Sequence, residues 1–394
     1  MASALEGIRV LDLSRTFAGP FCAMLLGDMG ADVVKLEEPE QGDETRSWPP
    51  FWNGQSVNFL PFNRNKRSIT LNLKSPEGRA IAARLAERSD VVIESFRTGA
   101  AERLGLGYEE LRQRSPQLVY LSISGYGRTG PMAHRPGYDL MVQGAGGLIS
   151  VTGEPGRPPV RVGYSVVDIF CGMAAYGAVL TALYHRERTG QGQYVEASLL
   201  DGQVTTSSYH AVSYLATGKA PGPMGSGHPS VCPYQAFQAK DGWFILGVAN
   251  DNLWRRFCAA VKLDHLVDDP RYRATADRVA HREELIGFLN ELFRHKTVKE
   301  WTDLIAGADV PCGPINTVAQ VVNDPQIRAR EAIVSLPHPD IPDLRMPGPP
   351  FRPHATPATY RRYPPRHGEH TEEVLRELGY TPDDVEMLKQ EGAI

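Results

Sequence analysis

Three observations predict an α/β fold. Apolar strand patterns alternate with helical ones over residues 8–125, no internal repeat interrupts them, and the composition shifts abruptly near residue 216. A chain of 394 residues is too long for one ordinary core. The expectation is a doubly wound, Rossmann-like large domain with a smaller α+β domain.

Taken in order, Ile8 to Leu13 reads as an apolar strand, Phe21 to Met29 as a short buried helix stopped by Gly30, and Asp32 to Leu36 as the next strand. The turn that would carry G-x-G-x-x-G instead runs from Ser14 to Pro20, which argues against a dinucleotide there. Asn63 to Ser68 is a basic cluster before an edge-like strand, Ile69 to Lys74; it reads either as a solvated face or as a phosphate holder. Pro76 to Ser89 has helical spacing, with Pro76 suited to the first turn, and Val91 to Glu94 is a strand. Glu109 to Arg114 and Leu118 to Ile123 repeat that pattern. Ser95-Phe96-Arg97 and Ser124-Gly125-Tyr126-Gly127 follow strand ends, where open α/β sheets bind ligands. Gly125 to Gly163 is dense in glycine and suits close approach of backbone to a ligand.

From Ser165 to about Arg188 the chain is largely apolar, with a cationic last turn and Gly190 to stop it, the pattern of a buried helix. Asp168 falls in or beside its first turn. Unpaired N–H groups and the helix dipole there favour an ionised carboxylate, by about 0.3–1 kcal/mol if exposed and ~2 kcal/mol if partly buried. Two readings stand at this point, a helix cap and a nucleophile.

Beyond Gly190 come a strand, Gln193 to Ala197, and a helical stretch to about Leu215. Ala216 to Ser230, rich in Gly, Pro and Ser, reads as a linker or mobile loop. Tyr234 to Ala249 reads as a hairpin with Asp241-Gly242 at its turn, followed by helices near residues 252–261, 282–294 and 298–307. A Pro-rich return, Pro337 to Pro365, leads to closing helices at 372–378 and 383–391. The expected boundaries are 1–215, 216–330 and 331–394.

Net charge is −4, which leaves no electrostatic footprint for nucleic acid. The longest apolar run, Cys171 to Tyr184, is shorter than the ~20 residues of a bilayer span, so no membrane partner is expected. Glu6, Arg9 and Asp12 in and before the first strand argue against a signal peptide, and a cytoplasmic or mitochondrion-like location is expected. Cys22, Cys171, Cys232, Cys258 and Cys312 are scattered without a C-x-x-C pair, and no histidine has a ligand spacing, so no metal is expected.

A set of short signatures recurs in order: Leu5-Glu6-Gly7, Ala18-Gly19-Pro20, Gly30 to Glu37, Gly42-Asp43-x-x-Arg46, Asn63-x-Asn65-Lys66-Arg67-Ser68, Gly125-Tyr126-Gly127, Gly190-x-Gly192-Gln193, Pro311-Cys312-Gly313-Pro314 and Gly368-Glu369-His370-Thr371. In this the chain resembles class III coenzyme A transferases of the CaiB/BaiF family over essentially its whole length. The resemblance implies an interlocked homodimer whose large domain is built from both chain ends. It also implies acyl-CoA as a substrate, no permanently bound cofactor, and Asp168 as the nucleophile. By position it places coenzyme A contacts on Thr16, Phe17, Leu71, Asn72, Leu73, Lys74, Ser95, Phe96, Arg97, Arg103, Ser124, Gly125 and Tyr126. Glu38 stands where similar formyl-CoA transferases carry Arg. The segment His228 to Phe237 resembles the branch that moves CoA from succinyl-CoA to dicarboxylates such as glutarate or 3-hydroxy-3-methylglutarate.

The chemistry implied is attack of a carboxylate on a thioester, giving a mixed anhydride and then an aspartyl-CoA thioester, with backbone donors at the oxyanions. Gly144 to Gly147 and the loop Met224-Gly225-Ser226-Gly227-His228 are the expected donors, closing over the anhydride. Arg15 or Arg46 is expected to hold the acceptor's distal carboxylate through a charge-assisted bidentate contact. Two rival functions stand beside this one. A CoA-ester α-racemase needs a Gly-His-Asp motif, which here reads Gly137-Tyr138-Asp139, and tyrosine is a poor base for an α-proton. An oxidoreductase or a non-catalytic acyl-CoA binding protein is the other, and the missing dinucleotide fingerprint speaks against the former.

Overall fold

The computed structural model describes residues 3–394 and divides into two compact units. The first comprises Met1–Leu148, Val162–Ala216 and Gln326–Ile394; the second comprises Ile149–Arg161 and Thr217–Pro325. Ile149–Arg161 belongs to the second unit although no shift in composition marks it off from the first.

The first unit holds a six-stranded, wholly parallel sheet. Its order is Lys66–Thr70, Asp32–Glu37, Arg9–Asp12, Val91–Glu94, Val119–Ser124, Tyr194–Ser198. Chain order reverses between Arg9–Asp12 and Val91–Glu94, so the loops leaving these two strands diverge at their carboxyl ends, the place where such sheets leave a crevice. Alternate strand residues serve two cores. Leu11, Val34, Leu36, Ile69 and Val92 pack with helix Pro76–Glu87 and the C-terminal helices Thr371–Glu377 and Pro382–Gln390. Val10, Val33, Val91, Ile93, Val119 and Leu121 pack with helices Ala18–Asp28 and Val166–Thr189.

The edge strand begins at Lys66, not Ile69, because the basic cluster is drawn into the sheet. Neither expected role, solvated face or phosphate holder, survives. Arg64 donates to both oxygens of Asp28 at 2.9 and 2.7 Å, Lys66 meets Asp12 at 2.8 Å, and Arg67 meets Asp32 at 2.6 Å and Glu377 at 2.7 Å. Parallel pairing sets Lys66 opposite Val33, one residue from Asp32, so the register itself brings cations to carboxylates.

Helix Val166–Thr189 has 24 residues and ends at Gly190, whose φ of 73° suits the left-handed stop and whose N–H reaches the Arg186 carbonyl at 2.7 Å. It runs beyond the apolar stretch read from sequence, and by length and composition alone it is long and apolar enough to cross a membrane. Val167, Cys171, Ala175, Val179 and Ala182 instead bury into the core against the sheet. Gly172 is required for the approach to helix Ala18–Asp28, since a Cβ there would lie 2.7 Å from the Ala18 carbonyl oxygen.

The second unit is built on the expected hairpin, Tyr234–Gln238 with Trp243–Gly247, closed by an Ala239 N–H to Gly242 carbonyl bond of 2.8 Å. Cys312–Pro314 adds a third antiparallel strand. Helices Asp251–Val261, Arg282–Phe293 and Val298–Ala306 surround a core rich in aromatic side chains, including Phe237, Phe244, Trp254, Phe257, Phe293 and Trp301.

Candidate active site

Asp168 is the third residue of the long helix and is buried, with 8% of its surface exposed. Ser165, the local cap position, makes no side-chain capping bond. The cap comes from elsewhere: one carboxylate oxygen of Asp139 accepts the N–H groups of Val167 at 2.9 Å and Asp168 at 3.4 Å. Its other oxygen accepts from the Gln143 amide at 2.5 Å, while the Gln143 carbonyl oxygen accepts the Val162 N–H at 2.9 Å. Asp139 and Gln143 are one turn apart on helix Asp139–Ala145, so a single short helix both caps the long one and pins the strand-like segment leading into it.

The capping function is thus discharged by Asp139 and not by the Asp168 side chain. Burial, followed by the neighbouring Asp139 charge, pushes its pKa up to about 7. Burial thus works against the helix terminus, which favours the ionised form: desolvation acts on the whole charge, whereas the N–H groups of Val167 and Asp168 are engaged by Asp139.

Around the first turn, a fully buried network sets the backbone. Asp12 meets Lys66, Lys35 meets Asp43 at 2.9 Å, and the Asp43 carboxylate accepts the Thr16 N–H at 3.4 and 3.3 Å. Thr16 is held at a φ of 70°, a left-handed conformation unusual for a branched residue. Its hydroxyl donates to Glu44 at 2.7 Å, and the Tyr138 hydroxyl donates to both oxygens of the same carboxylate at 3.3 Å. The Arg15 N–H donates to the Ser95 hydroxyl at 3.0 Å, joining the two loops at the sheet's reversal point. Arg128 ties the next loops together, pairing with Glu94 at 2.8 Å and donating to the carbonyls of Phe96 and Ile123.

CoA-transferase family III matches residues 5–371 of this chain. Succinyl-CoA:glutarate CoA-transferase from Mus musculus is 40% identical over 99% of this chain and 90% of its own length. Succinate–glutarate CoA-transferase from Agrobacterium fabrum is 41% identical over 95% of each. A crystal structure of a CaiB/BaiF family protein from Brucella suis is 38% identical, covers 96% of this chain and 100% of its own, and superposes with a TM-score of 0.85. The chain belongs to CoA-transferase family III.

As a family III CoA-transferase it is an enzyme whose CoA thioester is substrate, not a resident cofactor. Most residues expected to contact coenzyme A lie at the carboxyl ends of the strands. Thr16 and Phe17 occupy the first turn, with the Phe17 ring against Phe62 at 4.9 Å and Trp48 at 5.8 Å. Arg97 and Arg103 are exposed, as is Lys74. Ser124 accepts the Gly127 N–H at 3.0 Å, and Gly125 packs on Gly137, leaving 2.9 Å from a would-be Cβ to that backbone. Tyr126 stands beside Gly137. Leu71 departs from the expectation: its side chain is in the core, so only its backbone is left for a ligand. Asn72 is bonded to the carbonyls of Gly392 and Ala393, and Leu73 is partly buried.

Arg46 cannot hold an acceptor. It grips Glu37 with two bonds of 2.6 Å, donates to the Pro365 carbonyl, and lies 3.7 Å over the Phe59 ring. Glu38 accepts the Gln41 N–H at 2.9 Å. Arg15 is exposed and makes no ion pair among the described residues. In the second unit the Gly225 N–H is given to the Gly153 carbonyl at 2.8 Å, the Gly227 N–H to Met224 at 3.0 Å, and the His228 N–H to Tyr234 at 3.2 Å. Gly146 and Gly147 donate to Val142 and Gly144. These amides are therefore not preformed oxyanion donors, because backbone carbonyls have already taken them. Tyr138 donates to a carboxylate, and burial and Glu44 raise its pKa, which removes it as a racemase base.

Sequence reasoning missed Asp139, Glu44 and Arg128 as site residues. Their types and neighbours were visible in Gly137-Tyr138-Asp139, Gly42-Asp43-Glu44 and Gly127-Arg128, but no spacing rule connects them to Asp168 or to each other. Among the described residues no group of three His, Cys, Asp or Glu is placed to hold a metal ion.

Proposed function

We propose that this enzyme moves coenzyme A from succinyl-CoA to a small dicarboxylic acid, with Asp168 as nucleophile. The observation that carries the reading is a buried carboxylate at a helix terminus whose cap is supplied by another residue. The names of the relatives from Mus musculus and Agrobacterium fabrum support the substrate pair.

Ionised Asp168 attacks the thioester carbonyl and expels CoA thiolate, leaving a mixed anhydride. The thiolate then attacks the aspartyl carbonyl, forming the aspartyl-CoA thioester and releasing succinate. The acceptor carboxylate attacks that thioester to form a second anhydride, and returning thiolate produces the new acyl-CoA and frees Asp168. No net proton is consumed, so the protein's work is to desolvate the carboxylate and exclude water. Arg15, the exposed cation of the first turn, is proposed to hold the acceptor's distal carboxylate.

The two cores on opposite faces of the sheet support a doubly wound domain. Exposed apolar side chains on helix Val166–Thr189 and on helix Leu199–Thr217, namely Tyr184, Val204, Val212 and Leu215, together with Tyr164 just before the first, support a homodimer interface, with Tyr164 73% and Leu215 80% exposed. An interlocked arrangement and a cytoplasmic location complete the proposal. The test is a transfer panel with succinyl-CoA, oxalyl-CoA, carnitinyl-CoA and acetyl-CoA as donors against glutarate, malate, citramalate, oxalate and formate. Succinyl-CoA with a C4–C6 dicarboxylate is expected to give the highest kcat/KM; formate or oxalate outcompeting every such acid contradicts the substrate assignment.

A further inference from the structure

We infer that Glu44 is a positioning residue: its carboxylate latches Tyr138, and through the next residue the Asp139 cap of the nucleophile helix, to the first turn. Glu44 opens the short helical turn Glu44–Ser47, which Asp43 caps by accepting the Thr45 N–H at 3.0 Å. Asp43 is in turn fixed by Lys35, so the platform under Glu44 is a fully buried ion pair. From that platform the Glu44 carboxylate takes the Thr16 hydroxyl at 2.7 Å and the Tyr138 hydroxyl at 3.3 Å to each oxygen.

Glu44 makes no ion pair among the described residues; its charge is answered by two hydroxyl donors. Arg97 and Arg15 act on the Tyr138 hydroxyl in the opposite sense to Glu44. Both elements that meet at Glu44 need holding. Thr16 sits in a left-handed conformation that strains a branched residue. Tyr138 directly precedes Asp139, whose oxygen must reach two N–H groups of the long helix at once. A displaced Tyr138 backbone moves that oxygen and tilts the helix terminus carrying Asp168. Glu44 touches neither the reacting atoms nor Asp168 itself.

The inference rests on Asp168 being the acylated residue. It is tested by single-turnover formation of the aspartyl-CoA thioester in Glu44→Ala, Glu44→Gln, Tyr138→Phe and the Glu44→Ala/Tyr138→Phe double variant, with the Kd of CoA measured alongside. Glu44→Ala and Tyr138→Phe are each expected to slow acylation about tenfold, and in Tyr138→Phe, which leaves Thr16 held, the Kd of CoA should change less than about threefold. The double variant should be no slower than the slower single one, because both remove the same link. Glu44→Gln keeps an oxygen acceptor and should stay within about threefold of wild type. Additive losses, a glutamine variant as slow as alanine, or wild-type acylation in Tyr138→Phe overturns the latch. Tyr138→Phe removes only a hydroxyl, so it carries the test if Glu44→Ala fails to fold. Failure of the wild type to acylate Asp168 at all would instead overturn the proposed function and leave the latch without an object.

Discussion

In the proposed mechanism, protonation of Asp168 governs when a turnover can begin. Only the carboxylate attacks a thioester, and burial with the Asp139 charge places its pKa at about 7. The acylation rate should therefore rise about tenfold per pH unit below that value and level off above it, which a stopped-flow pH series reads directly. The same shift has a stability consequence of opposite sign. Between the unfolded value near 4 and the folded value of about 7, the native state keeps a proton the unfolded chain has lost, so wild-type stability falls across that window and stays reduced above it. Asp168→Asn removes the effect; its stability relative to wild type should grow from pH 4 to 7 by on the order of 2–4 kcal/mol, and then stay level. Urea midpoints that track wild type at every pH would contradict this. Arg46 gives a contrast at the same scale. Because it is spent on Glu37, Arg46→Ala should cost about 3–5 kcal/mol of stability. Arg15→Ala should leave stability alone and raise KM more for dicarboxylate than for monocarboxylate acceptors.

At the scale of elements, the position of Asp168 depends on how closely two helices can approach. Gly172 lies one turn beyond it, against the Ala18 carbonyl, and Gly172→Ala would force the long helix outward by several tenths of an ångström or more. The expected outcome is a loss of about 1–3 kcal/mol with a lowered kcat, read by denaturation and steady-state kinetics. Gly125→Ala presses on the Gly137 backbone from the other side, so it should lower kcat by disturbing Tyr138 and Asp139. These contacts could not be read from the sequence. Helices were legible because periodicity and stop signals are local, as at Gly190; the partner of a helix terminus is not local, and Asp139 reaches Val167 across 28 residues of chain. The basic cluster failed for the same reason, since charge runs are commonly solvated and nothing local revealed Asp12, Asp28 and Asp32 as partners.

At the scale of the whole molecule, the alternation of strands and helices and the break near residue 216 were legible in composition. The transfer of Ile149–Arg161 to the second unit was not, because thirteen residues carry no compositional signal of their own. The residues that the family resemblance implies as coenzyme A contacts stand mostly just beyond strand ends, where open α/β sheets place ligand loops; Leu71 is the exception, its side chain being turned into the core. The proposed interlocked homodimer predicts persistence on dilution, since linked chains cannot separate without unfolding, and sedimentation at low concentration should show no 43.4 kDa monomer. In the proposed mechanism the intact enzyme passes CoA through Asp168. Wild type incubated with succinyl-CoA, trapped with borohydride or hydroxylamine and mapped by peptide mass spectrometry, should carry the modification on Asp168 alone. A modification on any other residue, or none under conditions of full turnover, would contradict it.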